Sequence, residues 1–127
     1  MRFEATVPLI AIVDDDEPVR SALDSLIRSA GYRSVTFESG AAFLDSDHDQ
    51  EIGCLILDID MPGLNGLDVQ RRLAEINHSI PIIFVTGHDG ELQRIALEKG
   101  AFAVIGKSCS GSALLQSIHS ALGASGS

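Results

Sequence analysis

The chain has 127 residues, 45% of them hydrophobic, which suits one domain with its own core. Eighteen acidic against nine basic side chains leave a net charge of −9, which disfavours electrostatic capture by a nucleic-acid backbone or an anionic membrane. No apolar run reaches the roughly 18 to 20 residues of a membrane span, and the N-terminus lacks a charged stretch followed by a long apolar one, so a soluble, cytoplasmic protein is expected. Taken in chain order, residues 1–7 read as an extension, and residues 9–13 as a first strand. Val19, Ala22, Leu23, Leu26, Ile27 and Ala30 then recur at helical spacing, with Pro18 suited to the first turn and Gly31 to the stop. A second strand is expected at 34–37, followed by a short helix capped by Ser39 and carrying Phe43 and Leu44. The run 54–57 reads as a third strand, and Asn65 can cap a helix bearing Leu67, Val69, Leu73 and Ile76. A fourth strand at 80–85 precedes a helix with Leu92, Ile95 and Ala96 that ends at Gly100. A fifth strand at 101–105 and a last helix with Leu114, Leu115, Ile118, Ala121 and Leu122 complete the domain at 8–122, leaving 123–127 as a flexible tail.

Five strands alternating with five helical patterns predict repeated βα units. Runs one, three and four are apolar with little alternation, as expected of central parallel strands covered on both faces. Such a sheet binds ligands beyond the C-terminal ends of its strands, near the point where strand order reverses. The polar residues of this chain sit at those ends: Asp14, Asp15 and Asp16 after the first strand, Asp58 and Asp60 after the third, Thr86 after the fourth and Lys107 after the fifth. Two carboxylates about 5 Å apart repel by roughly 3 kcal/mol at an effective dielectric of 20, so several gathered at one edge favour a divalent cation. An all-oxygen set suits Mg²⁺, with Mn²⁺ as a possible substitute, better than zinc. A carboxylate relieved of its charge in this way can act as a nucleophile toward phosphorus. Asp58 is the candidate because it directly ends an apolar strand, whereas Asp60 lies further into the Met-Pro-Gly turn. Thr86 can donate a hydroxyl to a phosphoryl oxygen and Lys107 can supply positive charge.

Each signal has a plainer reading when taken singly. Asp-Asp-Asp-Glu-Pro also marks a helix N-terminus, Thr86 a turn residue and Lys107 a solvated lysine. His48, His78, His88 and His119 show no ligand spacing and read as surface residues. Cys54 and Cys109 fit no metal spacing and read as reduced thiols within or beside apolar strands. Convergence of four strand ends is what favours a phosphoryl pocket.

With these residues in view, the chain resembles the receiver domain of two-component response regulators over almost its whole length. The resemblance rests on Ile-Val-Asp-Asp at 12–15, Leu-Asp-Ile-Asp-Met-Pro-Gly-Leu-Asn-Gly at 57–66, Val-Thr-Gly-His at 85–88, and Lys107. The Thr-Gly-His form is similar to the branch that includes nitrogen-fixation transcriptional regulators. The resemblance implies a flavodoxin-like, doubly wound five-stranded parallel sheet of order 2-1-3-4-5 with five helices. It implies phosphotransfer to Asp58 from a histidine kinase or histidine phosphotransfer protein, with Asp14, Asp15, Asp58 and the backbone carbonyl of Asp60 around Mg²⁺. Thr86 and Lys107 would grip the phosphoryl group, and the result would be a switch rather than an enzyme, although one that can catalyse its own phosphorylation and dephosphorylation. A downstream protein or a phosphorylation-dependent second copy would read the switch, and any nucleic-acid contact would fall to another domain.

Three departures accompany the resemblance. Ser108 follows the lysine where the family usually has proline, so a trans Lys107–Ser108 bond and a different loop path are expected. Val104 stands where the family usually carries a Phe or Tyr whose rotation reports phosphorylation, and Phe102 is expected to point elsewhere. The segment from Thr86 to Gly100 is about one residue shorter than usual. A degenerate receiver that binds partners without phosphorylation is therefore an alternative, as is, on Asp58-Ile-Asp60 alone, a haloacid-dehalogenase-like phosphatase.

Overall fold

The computed structural model describes residues 7–46, 52–76, 80–87, 91–107 and 110–126. Five strands, β1 (Leu9–Val13), β2 (Arg33–Phe37), β3 (Ile52–Asp58), β4 (Ile82–Thr86) and β5 (Ala103–Gly106), form one sheet in the order β2-β1-β3-β4-β5. Every pairing is parallel, as the alternating sequence pattern requires. The helices are α1 (Glu17–Ser29), α2 (Gly40–Leu44), α3 (Gly66–Glu75), α4 (Glu91–Glu98) and α5 (Gly111–Gly126).

Strand alternation divides the core into two layers. Leu9, Ala11, Val13, Leu55, Leu57 and Phe84 point to one face, where Phe43 of α2, Val69 and Leu73 of α3 and Ala96 of α4 cover them. Ile10, Ile12, Cys54, Ile56, Ile83 and Val85 point to the other, beneath Ile27 of α1 and Leu114, Ile118 and Ala121 of α5. β1 and β4 are buried along their whole length, whereas the edge strands β2 and β5 are largely half-buried.

The helix punctuation follows the sequence signals. The Asp16 carboxylate accepts from the Val19 amide at the start of α1, Pro18 lies in the first turn, and Gly31 adopts φ +95° beyond the end. Ser39 caps α2. Asn65 and Asp68 form a reciprocal capping box at α3, the aspartate supplying a partner that the sequence reading had not assigned.

β2 begins one residue earlier than expected and β3 runs over Ile52–Asp58 rather than 54–57, and other boundaries differ as well. β4 starts at Ile82 rather than residue 80, because Pro81 has no amide to give the ladder although its carbonyl accepts from Leu55. β5 starts at Ala103, because the Ala101 amide turns back to the Ala96 carbonyl and closes the end of α4. Ile76 caps α3 from outside and is 62% exposed rather than joining its apolar face. α5 continues in helical geometry to Gly126, through the segment expected to begin a tail at residue 123. Among the described residues no helix is long and apolar enough to cross a membrane.

One close approach fixes α3. The Gly66 amide donates to the Ile59 carbonyl at 2.9 Å, and a Cβ on Gly66 would lie 2.5 Å from the Asp58 carbonyl oxygen and 2.8 Å from the Phe84 ring. Backbone on one side and a fully buried ring on the other cannot yield cheaply. Gly66→Ala is expected to destabilise the fold by about 2 kcal/mol or more, measured as a lowered midpoint in chemical denaturation.

Candidate functional site

Strand order reverses around β1 and β3, whose C-terminal ends lie side by side. The register Val13↔Leu57 sets Asp14 and Asp58 at adjacent strand ends, Asp58↔Val85 brings Thr86 alongside, and Thr86↔Gly106 places Lys107 next to them. Thr86 and Lys107 are joined further by the Lys107 amide, which donates to the Thr86 carbonyl at 2.8 Å. The four strand ends thus meet at one edge, as the sequence pattern anticipated.

Asp14, Asp58 and Thr86 are all buried, and Asp15 is exposed. Local backbone amides aim the two buried carboxylates. The Asp16 amide donates to Asp14 Oδ1 at 2.9 Å, and the Asp60 amide donates to Asp58 Oδ1 at 3.2 Å. Lys107 Nζ lies 3.4 Å from Asp58 Oδ2 and 3.9 Å from Asp14 Oδ2, bridging the pair. One ammonium does not offset the carboxylates it faces. Burial, followed by the neighbouring Asp14 charge, pushes the Asp58 carboxyl up to about 6 despite the lysine. Burial also raises Asp14, against the Asp16 amide bond and Lys107. Partial burial would lower Lys107, but Asp58 and then Asp14 hold it above the ordinary lysine value.

The donor set fits a hard divalent cation. One oxygen from each of Asp14, Asp15 and Asp58 lies within 4.8 Å of the others. Asp14 Oδ2 is buried and has no hydrogen-bond partner among the described residues, the condition a cation would relieve. The Asp60 side chain is exposed and its amide is engaged with Asp58.

Two contributors were not singled out by the sequence. Arg20 Nη1 donates to the Asp14 carbonyl at 2.7 Å, bracing the turn between β1 and α1. Its place one turn beyond the Asp16 cap was the available signal, because a long side chain there reaches back over the helix N-terminus. Gly66 supports the Asp58 backbone from below, and only the folded contact reveals that role.

Other residues behave as expected or fall outside the description. Burial pushes the Cys54 thiol up to about 12, leaving it inert, and His119 is exposed on α5. Cys109, Ser108 and the Lys107–Ser108 bond, with His48, His78 and His88, lie outside the described residues. Val104 is half-buried opposite Phe84 and packs on the layer beneath α2, α3 and α4, while Phe102 is 39% exposed.

Comparison with known proteins gives a consistent result. The response regulator receiver domain family matches residues 10–119. The response regulator protein TmoT of Ectopseudomonas mendocina is 47% identical over 115 residues, covering 90% of this chain and 52% of its own length. The transcriptional regulatory protein FixJ of Bradyrhizobium diazoefficiens is 34% identical over 114 residues, covering 89% of this chain and 56% of its own; its presence agrees with the nitrogen-fixation-type branch. The solved response regulator StyR superposes with a TM-score of 0.88 at 37% identity, over 95% of this chain and 62% of that one. The chain spans about half the length of the curated relatives it matches.

The raised Asp58 carboxyl has a consequence for stability. The folded chain binds that proton more tightly than the unfolded chain, whose value is near 3.8, so stability falls as pH rises from about 4 to about 6 and stays lower above. In chelator, Asp58→Asn is expected to be more stable than wild type at pH 7.5 by on the order of 2 kcal/mol. The difference shrinks as pH is lowered toward 4, as read by denaturation at each pH.

Proposed function

The chain belongs to the response regulator receiver domain family of two-component signalling, and from that premise we propose that Asp58 is its phosphoacceptor, with Asp14 and Asp15 as its partners in holding Mg²⁺. The observation that carries this reading is the buried pair Asp14 and Asp58, bridged by Lys107, with Asp14 Oδ2 making no hydrogen bond among the described residues. Receivers of this family accept a phosphoryl group as a signalling switch, and this chain retains a nucleophile, a cation-binding set and a counter-charge at one strand edge.

In the proposed reaction an Asp58 carboxylate oxygen attacks the phosphorus of a phosphohistidine. The P–N bond breaks, an acyl phosphate O–P bond forms, and the imidazole nitrogen leaves with the bond pair and takes up a proton. Asp58 is held for in-line attack by the Asp60 amide on one oxygen, with the other toward Lys107. Asp14, Asp15 and Asp58, with the Asp60 carbonyl, would hold Mg²⁺ or Mn²⁺, which would supply neutralising charge for the phosphoryl oxygens. Lys107 offsets charge on the transferring group, and the Thr86 hydroxyl donates to a phosphoryl oxygen once it is in place. The same residues serve the chain's own phosphorylation and dephosphorylation.

The donor is a histidine kinase or a histidine phosphotransfer protein. A downstream protein or a second copy of the chain reads the added charge, about −1.5 to −2 at neutral pH. The cytoplasm is the expected setting. Val104 and Ser108 motivate a receiver that works without phosphorylation, but the intact carboxylate set argues for the phosphorylated form. The matching family covering residues 10–119 lends no support to a haloacid-dehalogenase-like phosphatase.

The test is intact mass after incubation with Mg²⁺ and acetyl phosphate or phosphoramidate. Wild type is expected to gain one phosphoryl group, while Asp58→Asn, or wild type in chelator, gains none. Lys107→Ala is expected to slow phosphorylation by about 10- to 100-fold. Adduct on Asp58→Asn, or none on wild type together with no Mg²⁺-dependent beryllofluoride binding, would reject the assignment.

A further inference from the structure

The seam between α3 and α4 contains a buried polar group. Gln70 of α3 is 5% exposed, and its Nε2 donates to the Ala96 carbonyl of α4 at 3.2 Å. Its Oε1 is buried with no hydrogen-bond partner among the described residues. The Ala96 carbonyl also accepts from the Ala101 amide at 3.0 Å, so it would keep a donor without Gln70. The orphaned oxygen has no such substitute: a buried unsatisfied acceptor is a standing cost to the closed seam, and water would satisfy it if the seam opened.

α4 has little else to hold it. Ala96 is its one buried residue, Leu92 and Leu97 are 36% and 49% exposed, and Arg94 spends its charge within the helix on Glu91 and Glu98. α3, by contrast, is fixed to the site. Gly66 rests against the Asp58 carbonyl, and Gln70 lies one turn further along the same helix.

We propose that Gln70 acts as a release element, keeping α4 lightly seated so that phosphorylation of Asp58 can displace it. The proposal rests on the phosphoacceptor reading above. It also offers an output route that needs no aromatic ring on β5, where this chain carries Val104. Ordinary structural glutamines hold elements together; this one is inferred to do the reverse, and the two roles differ in sign.

The test uses the full chain with Gln70→Leu, and Gln70→Met as a second variant in case the branched side chain fits poorly. Both are expected to raise the melting temperature and to slow amide exchange at Lys99, Gly100 and Ala101 about threefold or more in metal-free protein. By linkage, a seam that opens less readily weakens Mg²⁺-dependent beryllofluoride binding, by about three- to tenfold. A lower melting temperature with faster exchange in both variants would show a structural glutamine and overturn the inference. So would unchanged exchange, or unchanged beryllofluoride affinity. If wild type neither gains a phosphoryl group nor binds beryllofluoride, the phosphoacceptor reading falls with the coupling built on it, and the exchange result still distinguishes a weakened seam from a supporting one.

Discussion

Asp14 and Asp58 are carboxylates held almost out of water at neighbouring strand ends, and the rest of the site answers to the cost of keeping them there. Each is steadied by a backbone amide two residues on, and one lysine from the far side of the sheet bridges them. That compensation is partial: burial pushes the Asp58 carboxyl up to about 6, and Asp14 Oδ2 makes no hydrogen bond among the described residues. A site left short of positive charge favours a hard cation.

The scaffold supplies this arrangement through parallel register. Because all five strands run the same way, a residue that follows a strand is delivered to the same edge whichever strand it follows. The reversal of order around β1 and β3 opens the space between their ends. α3 is pressed against the underside of that edge by Gly66, where no side chain would fit. The helices are not held equally. α1 and α5 contribute Ile27, Leu114, Ile118 and Ala121 to a continuous apolar layer, while α4 contributes Ala96 alone. The lightly packed helix lies against β5, the edge strand that Lys107 follows.

The carboxylates, Thr86 and Lys107 were legible in the sequence because each directly follows an apolar run, and strand ends are read well by hydrophobic patterning. The strand order was reached only through a family resemblance, since periodicity says that strands exist and not which ones are neighbours. Boundaries slipped where a backbone group had a competing partner: Ala101 looked like strand but closes α4, and Pro81 looked like strand but lacks the amide for it. Arg20 and Gln70 were passed over for a common reason. An arginine or glutamine on a helix reads as a solvated residue until the folded chain shows what its head group meets.

By itself, the sequence determined the alternation of strands and helices, their caps, and the set of acidic, hydroxyl and basic groups at the strand ends, because these follow from local chemistry and short-range periodicity. Only the tertiary structure decided that the Lys107 ammonium lies between two buried carboxylates, that Gly66 touches the backbone of Asp58, and that Gln70 is sealed against α4 with an unanswered oxygen. Those contacts join different elements of the fold, and their energies depend on burial, which exists only once the chain has closed around them.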